Sequence, residues 1–332
     1  MPLRHSRPPT ALAVLAPLAA ALVAGCGGSG HVAAPSRPVP TTAPASISAS
    51  PAASAASATS AASAATASAR PPVTEPGGGQ TLLPGRRVVA FYGAAGTPAL
   101  GVLGTASANA LWPRLDAQAR VYSTATAPVL PAYELIADVI QAAPGADGDY
   151  SAPVSATTIA SYVAAARAHN ALLILDIQPG RSSFLPLAQR LAPYLADPHV
   201  GLALDPEWRL AAGQRPDQQI GKVSAAEVNE VSSWLDSFTT SHHLPQKMLL
   251  VHQFVDDEIT DKPDLLPRAH LAMVINMDGF GSPADKLAKY HYLAADTTFG
   301  IGFKLFYKQD TPLLSPAQVL ALRPAPAVVD YQ

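Results

Sequence analysis

The chain has 332 residues, a formal net charge of −2 and only 14% charged residues. That balance excludes a nucleic-acid surface, which needs clustered basic residues. The single cysteine, Cys26, excludes an intrachain disulfide, so the fold must rest on its apolar core.

In chain order, residues 1–25 read as a signal segment. Arg4 and Arg7 give a positive start, and the apolar run Ala11–Gly25 is too short to cross a bilayer but has the length of a signal core. It ends in Val23-Ala24-Gly25-Cys26, which resembles the bacterial lipobox. The resemblance implies cleavage before Cys26 and diacylglycerol on its sulfur; the alternative is an ordinary secretory signal. Buried acyl chains would hold the protein to the membrane on its extracytoplasmic face. Residues 26–82 read as a tether. "SAASATSAASAATASA" carries no large apolar side chain, cannot offset its chain entropy by burial, and is expected to be disordered. As a flexible coil of about 54 residues it reaches roughly 40 Å. The composition resembles that of actinobacterial lipoproteins.

From 83 to 332 the pattern changes to eight apolar runs: "RVVAFYG", "APVLPAYELI", "ALLILDIQPG", "VGLALDPEW", "KMLLVHQF", "LAMVINMDG", "GIGFKLFY" and "AVVDYQ". Near-continuous apolar strands are what a parallel sheet covered on both faces requires. Helix signals separate several of them. "SATTIASYVAAARAHN" sets Ile159, Tyr162, Val163 and Ala166 on one face. Ser224 and Glu227 have capping-box spacing, and two segments begin Ser-Pro, at 282 and 315. Strand-then-helix units at this length predict a (β/α)8 TIM barrel, expected to be monomeric. A doubly wound open sheet is the competing fold, but "YGAAGTPALGVLG" lacks the G-x-G-x-x-G spacing that fold places after an early strand.

In a barrel the site lies at the carboxyl ends of the strands, and alternation along each strand selects which side chains face in. That parity picks Tyr92 on the first strand, Glu134 on the second, Asp176 (with Gln178 following) on the third, and Asp205 with Glu207 on the fourth. It leaves His252 or Gln253 on the fifth. It then picks Asn276 and Asp278 on the sixth, Lys304 on the seventh and Asp330 on the eighth. One cation, Lys304, thus faces five or six carboxylates, and crowded carboxylates raise one another's pKa.

Asp205 and Glu207, two positions apart on an extended strand, are expected to point the same way with Cα atoms about 6.6 Å apart. Two such carboxyls are the usual equipment of glycoside hydrolysis, and Trp208 would offer an apolar face to a sugar. "LDPEW" resembles the D-x-E ending of chitinase-like and lysozyme-like glycoside hydrolase barrels. In the chitinase-like family the Glu is the general acid and the Asp orients the substrate's acetamido group. The resemblance therefore implies Glu207 as acid and Asp205 as its partner, with "NMDGFG" offering Asp278. The chain departs from that family in having Leu202, Ala203 and Leu204 where further aspartates stand. No H-E-x-x-H, C-x-x-C or G-x-S-x-G occurs. A metal site from Asp176, Asp205 and His252 would lack the first-strand His-x-His of metal-dependent barrels, so no metal or other cofactor is expected. Two function classes follow: an envelope-anchored hydrolase of a cell-wall or extracellular glycan, or a barrel that binds a polysaccharide or a protein without catalysis.

Overall fold

The computed structural model describes residues 72–295 and 297–332; the signal segment, Cys26 and the tether up to residue 71 lie outside the described residues. The eight runs form eight parallel strands: β1 (Arg87–Gly93), β2 (Val129–Ile140), β3 (Leu172–Ile177), β4 (Val200–Leu204), β5 (Lys247–Gln253), β6 (Leu271–Met277), β7 (Gly300–Leu305) and β8 (Val328–Tyr331). Each pairs with the next, and β8 pairs with β1, so the sheet closes. Tracing paired positions once round the ring from Ala90, through Ala132 and Leu172, returns eight residues before the start. Eight strands with this stagger make a TIM barrel.

Alternation divides the apolar residues into two layers. One side of the strands, with Val88, Ala90, Ala132, Ile174, Ala203, Leu250, Val274 and Val328, fills the barrel. The other packs under the helices through Val89, Phe91, Leu173, Leu202, Leu249, Ile275 and Phe303. The interior is tight at β7: a Cβ on Gly302 would stand 2.3 Å from Asn276 Oδ1.

The outer helices are α1 (Ala108–Arg120), α2 (Ala156–His169), α3 (Phe184–Arg190), α4 (Ala192–Leu195), α5 (Ala225–Ser241), α6 (Pro283–Ala295) and α7 (Pro316–Leu320). Ser155 caps α2 through the Thr158 amide, and Ser315 with Gln318 forms a full capping box on α7. On α5 the expected box is half made. Ser224 accepts from the Glu227 amide, but the Glu227 carboxylate turns away to Arg209 and the Phe184 amide. The regular strand–helix alternation also fails once. Between β5 and β6 the described chain runs through two 3-10 turns, Asp256–Glu258 and Lys262–Asp264, with no α-helix.

Residues 72–82, expected from their composition to continue the tether, pack against the amino-terminal end of the barrel. Leu82 is fully buried among the interior side chains, and the amides of Leu82 and Leu83 both donate to Gln246 Oε1, at 2.9 and 3.0 Å. Upstream, the Gly77 amide donates to Asn170 Oδ1 and Glu75 is buried. Leu82 and a string of backbone donors give this segment what its glycine content hides: a plug for the end of the barrel away from the polar groups.

Candidate active site

The carboxyl halves of the strands carry one inward polar residue each. The odd strands supply Tyr92, Asp176, His252 and Lys304. The even ones supply Glu134, Asn276 and Asp330, with Asp205 one residue beyond β4. Side chains from alternate strands share layers of four in a barrel of this stagger: Tyr92, Asp176, His252 and Lys304 make one layer, Glu134, Asn276 and Asp330 the next with Ala203 in the β4 place, and Asp205 stands one layer higher. All eight are 3% exposed or less.

Two hydrogen-bonded groups make up the ring. In the first, Lys304 Nζ donates to Asp278 Oδ2 at 2.9 Å, stands 3.9 Å from Asp330, and lies 3.5 Å from the centre of the Tyr92 ring. His252 Nδ1 lies 3.1 Å from the same Asp278 oxygen, and its Nε2 lies 2.8 Å from Glu134 Oε1. In the second, the Tyr92 hydroxyl donates to Asp176 Oδ2 at 3.1 Å and stands 3.4 Å from Asp205 Oδ2. Gln178 Nε2 donates to the Tyr92 oxygen and toward Asp205. Several buried oxygens have no hydrogen-bond partner among the described residues: Glu134 Oε2, Asp176 Oδ1, Asp205 Oδ1, Asn276 Oδ1 and both of Asp330.

Burial and mutual charge set the protonation pattern. Burial alone would raise the Asp278 carboxyl, but the Lys304 charge and the His252 hydrogen bond hold it well below the usual carboxylate range. Burial and Lys304 oppose a charge on His252, and are outweighed by Glu134 and Asp278, so its pKa moves well up. Lys304 is likewise pushed up against its burial by Asp278 and Asp330. With a carboxylate beside each ring nitrogen, His252 adds a second basic group next to Lys304, which parity alone did not provide. Burial raises Asp205 to about 6, with His252 and Lys304 holding it back. Burial and Asp205 push Asp176 well up, and burial and Glu134 do the same to Asp330.

Glu207 sits differently from expectation. β4 stops at Leu204, and Pro206–Trp208 is a single 3-10 turn, so Asp205 and Glu207 are not two positions on one strand face. Pro206 offers no amide to the ladder and starts the turn. The turn is pinned by backbone bonds: Gly221 amide to Glu207 carbonyl at 2.6 Å, and Leu210 amide to Gly180 carbonyl at 2.7 Å. Arg209 is engaged with Glu227 at 3.0 Å, and Lys304 with Asp278. Glu207 is left half-buried, with no hydrogen bond or ion pair to its carboxyl among the described residues. That carboxyl is nonetheless densely surrounded. Burial first, then Asp205, Asp278 and Glu258, push its pKa well above the ordinary glutamate value.

Of the remaining expected residues, Gln253 belongs on the other side of β5. The parity of Met248 and Leu250 gives the interior to His252, and Gln253 Nε2 is spent on the carbonyls of Val255 and Asp256. Trp208 is half-buried beside Glu207, with its Nε1 buried and unpartnered. Half-buried Phe254 and Phe280 supply further apolar surface after β5 and β6. Glu258, on the turn after β5, was not legible. It is fully buried, accepts from the Phe254 and Val255 amides, and is raised to about 8 by burial. Asp138 also escaped notice: a register shift in β2 carries it off the simple alternation, and it is buried against Arg190.

For a metal, Glu134, Asp176 and His252 are the one trio found among the described residues whose donor atoms all lie within 4.8 Å of one another. No family model matches the chain, and comparison with curated proteins gives no match.

Proposed function

We propose that this chain is an envelope-anchored lipoprotein whose barrel hydrolyses a glycosidic bond in a cell-wall or extracellular glycan. Glu207 delivers the proton to the leaving oxygen, and Asp205 beside it orients the substrate or the acid. One observation carries the reading: Glu207 is a half-buried residue at the carboxyl end of the barrel, its carboxyl has no hydrogen-bond partner among the described residues, and its pKa is pushed well up. A general acid must hold its proton near neutral pH and be within reach of the leaving group. Asp205, raised only to about 6, is the more readily ionised of the two and suits the positioning role. Trp208, Phe254 and Phe280 supply faces on which a sugar ring packs. The lipobox resemblance at Cys26 supports anchoring on the extracytoplasmic side.

The second reading, a barrel that binds glycan or protein without catalysis, is favoured by the near-complete burial of the eight-residue ring. The two readings part in one experiment. A glycan array locates a ligand, and reducing-sugar release is then measured on it for wild type and Glu207→Gln. Cleavage lost in the variant supports the hydrolase, while binding without cleavage in either protein supports the binder.

A further inference from the structure

We infer that the ring holds a divalent transition-metal cation of the zinc or manganese class, ligated by Glu134, Asp176 and Nε2 of His252. The inference stands apart from the reading of Glu207. The three donors come from β2, β3 and β5, whose carboxyl ends converge inside the barrel. Their ligand atoms lie within 4.8 Å of one another. Donors on opposite sides of an ion with bonds of about 2.1 Å stand about 4.2 Å apart, so rotamer-scale movements close the set.

Three independent features point to a ligand there. First, Glu134 Oε2 and Asp176 Oδ1 are buried with no hydrogen-bond partner, on residues that are fully buried. Orphaned buried oxygens of this kind need a cation or a proton. Second, His252 is oriented as a metal-ligating histidine is. Its Nδ1 lies 3.1 Å from Asp278 Oδ2, which is itself fixed by Lys304 at 2.9 Å, leaving Nε2 toward Glu134. A carboxylate on the far nitrogen is the usual outer partner of such a ligand. Third, the ring is rich in carboxyls: Glu134, Asp176, Asp205, Asp278 and Asp330 share one interior with Lys304 and His252. One nitrogen and two carboxylate oxygens suit zinc or manganese, and three protein ligands leave positions open for water or substrate.

The test uses the full chain, stripped with a chelator and titrated calorimetrically with Zn²⁺ and with Co²⁺. The expected result is one tight site per chain that is weakened about a hundredfold in Glu134→Gln and in Asp176→Asn. Asp278→Asn, which removes the outer partner of His252 together with the charge paired with Lys304, weakens it by roughly 10- to 100-fold. Absence of a stoichiometric site, or unchanged affinity in both ligand variants, overturns the inference; the latter would mean that exposed histidines take up the metal. Circular dichroism checks that the variants fold. If they do not, Co²⁺-loaded wild type decides: a hyperfine-shifted exchangeable proton from the His252 Nδ1–H supports the site, and its absence overturns it.

Discussion

Lys304 and Asp278 form a fully buried ion pair at 2.9 Å, with Asp330 3.9 Å from the same ammonium. Removing one partner strands the other charge in a medium that solvates it poorly. Lys304→Met should therefore cost roughly 3–5 kcal/mol in urea unfolding. Lys304→Met combined with Asp278→Asn should recover part of that loss. Equal losses in the single and double variants would mean that packing of the long side chain matters more than its charge.

Glu207→Gln keeps shape and removes the titrating proton. On a glycan that the wild type cleaves, turnover should fall by about 10²–10⁴ with the thermal midpoint nearly unchanged. The wild-type rate should also decline as pH rises through the elevated Glu207 pKa, because the acid is then lost, and that descending limb should vanish in the variant. A large drop in midpoint instead would mark Glu207 as a structural carboxyl.

Gly221 governs how that carboxyl is held. A Cβ there would lie 2.5 Å from Arg209 O, 2.6 Å from Arg209 N and 2.7 Å from Pro206 O, all backbone. Gly221→Ala should cost about 1–3 kcal/mol by overpacking and push the Pro206–Trp208 turn outward. Turnover measured well below the midpoint should fall with it, and unchanged turnover would show that the position of the turn does not matter to the chemistry.

Glu75, buried under the amino-terminal end, has its pKa raised from 4.5 to about 8 by burial, against the pull of Lys247. The native state therefore holds a proton that the unfolded chain has released. This contribution is absent below the unfolded value, grows unfavourable as pH rises, and is complete above the folded one. Glu75→Gln should leave the melting temperature unchanged near pH 4 and raise it progressively to pH 8 and above. A gain that is flat with pH would contradict the assignment.

Cys26→Ala should release the protein from the membrane fraction or leave it unprocessed. A processed, acylated, membrane-bound variant would remove the lipoprotein reading.

The barrel was legible because its strands are covered on both faces and so read as unbroken apolar runs. Inward parity then located Tyr92, Glu134, Asp176, Asp205, Lys304 and Asp330 correctly, since period-two alternation holds wherever the chain stays extended. It misled where the chain leaves that conformation. Pro206 starts a turn, so Glu207 cannot be placed by counting along a strand. His252 and Gln253 differ by one position, and only the register of Met248 and Leu250 separates them. Glu258, Asp138 and Glu75 owe their burial to tertiary contacts of loops, a bulge and a glycine-rich segment, and no local pattern announces such contacts. "DDEITDKPDLLPRAH" carries two prolines and no helical period, in keeping with the missing helix between β5 and β6.

The plug formed by residues 72–82 gives the barrel a direction in space. The chain enters at the end sealed by Leu82 and Gln246, opposite the end that carries Asp205 and Glu207. Whatever precedes Pro72 in the chain is therefore joined to the barrel at the end away from its inward polar groups.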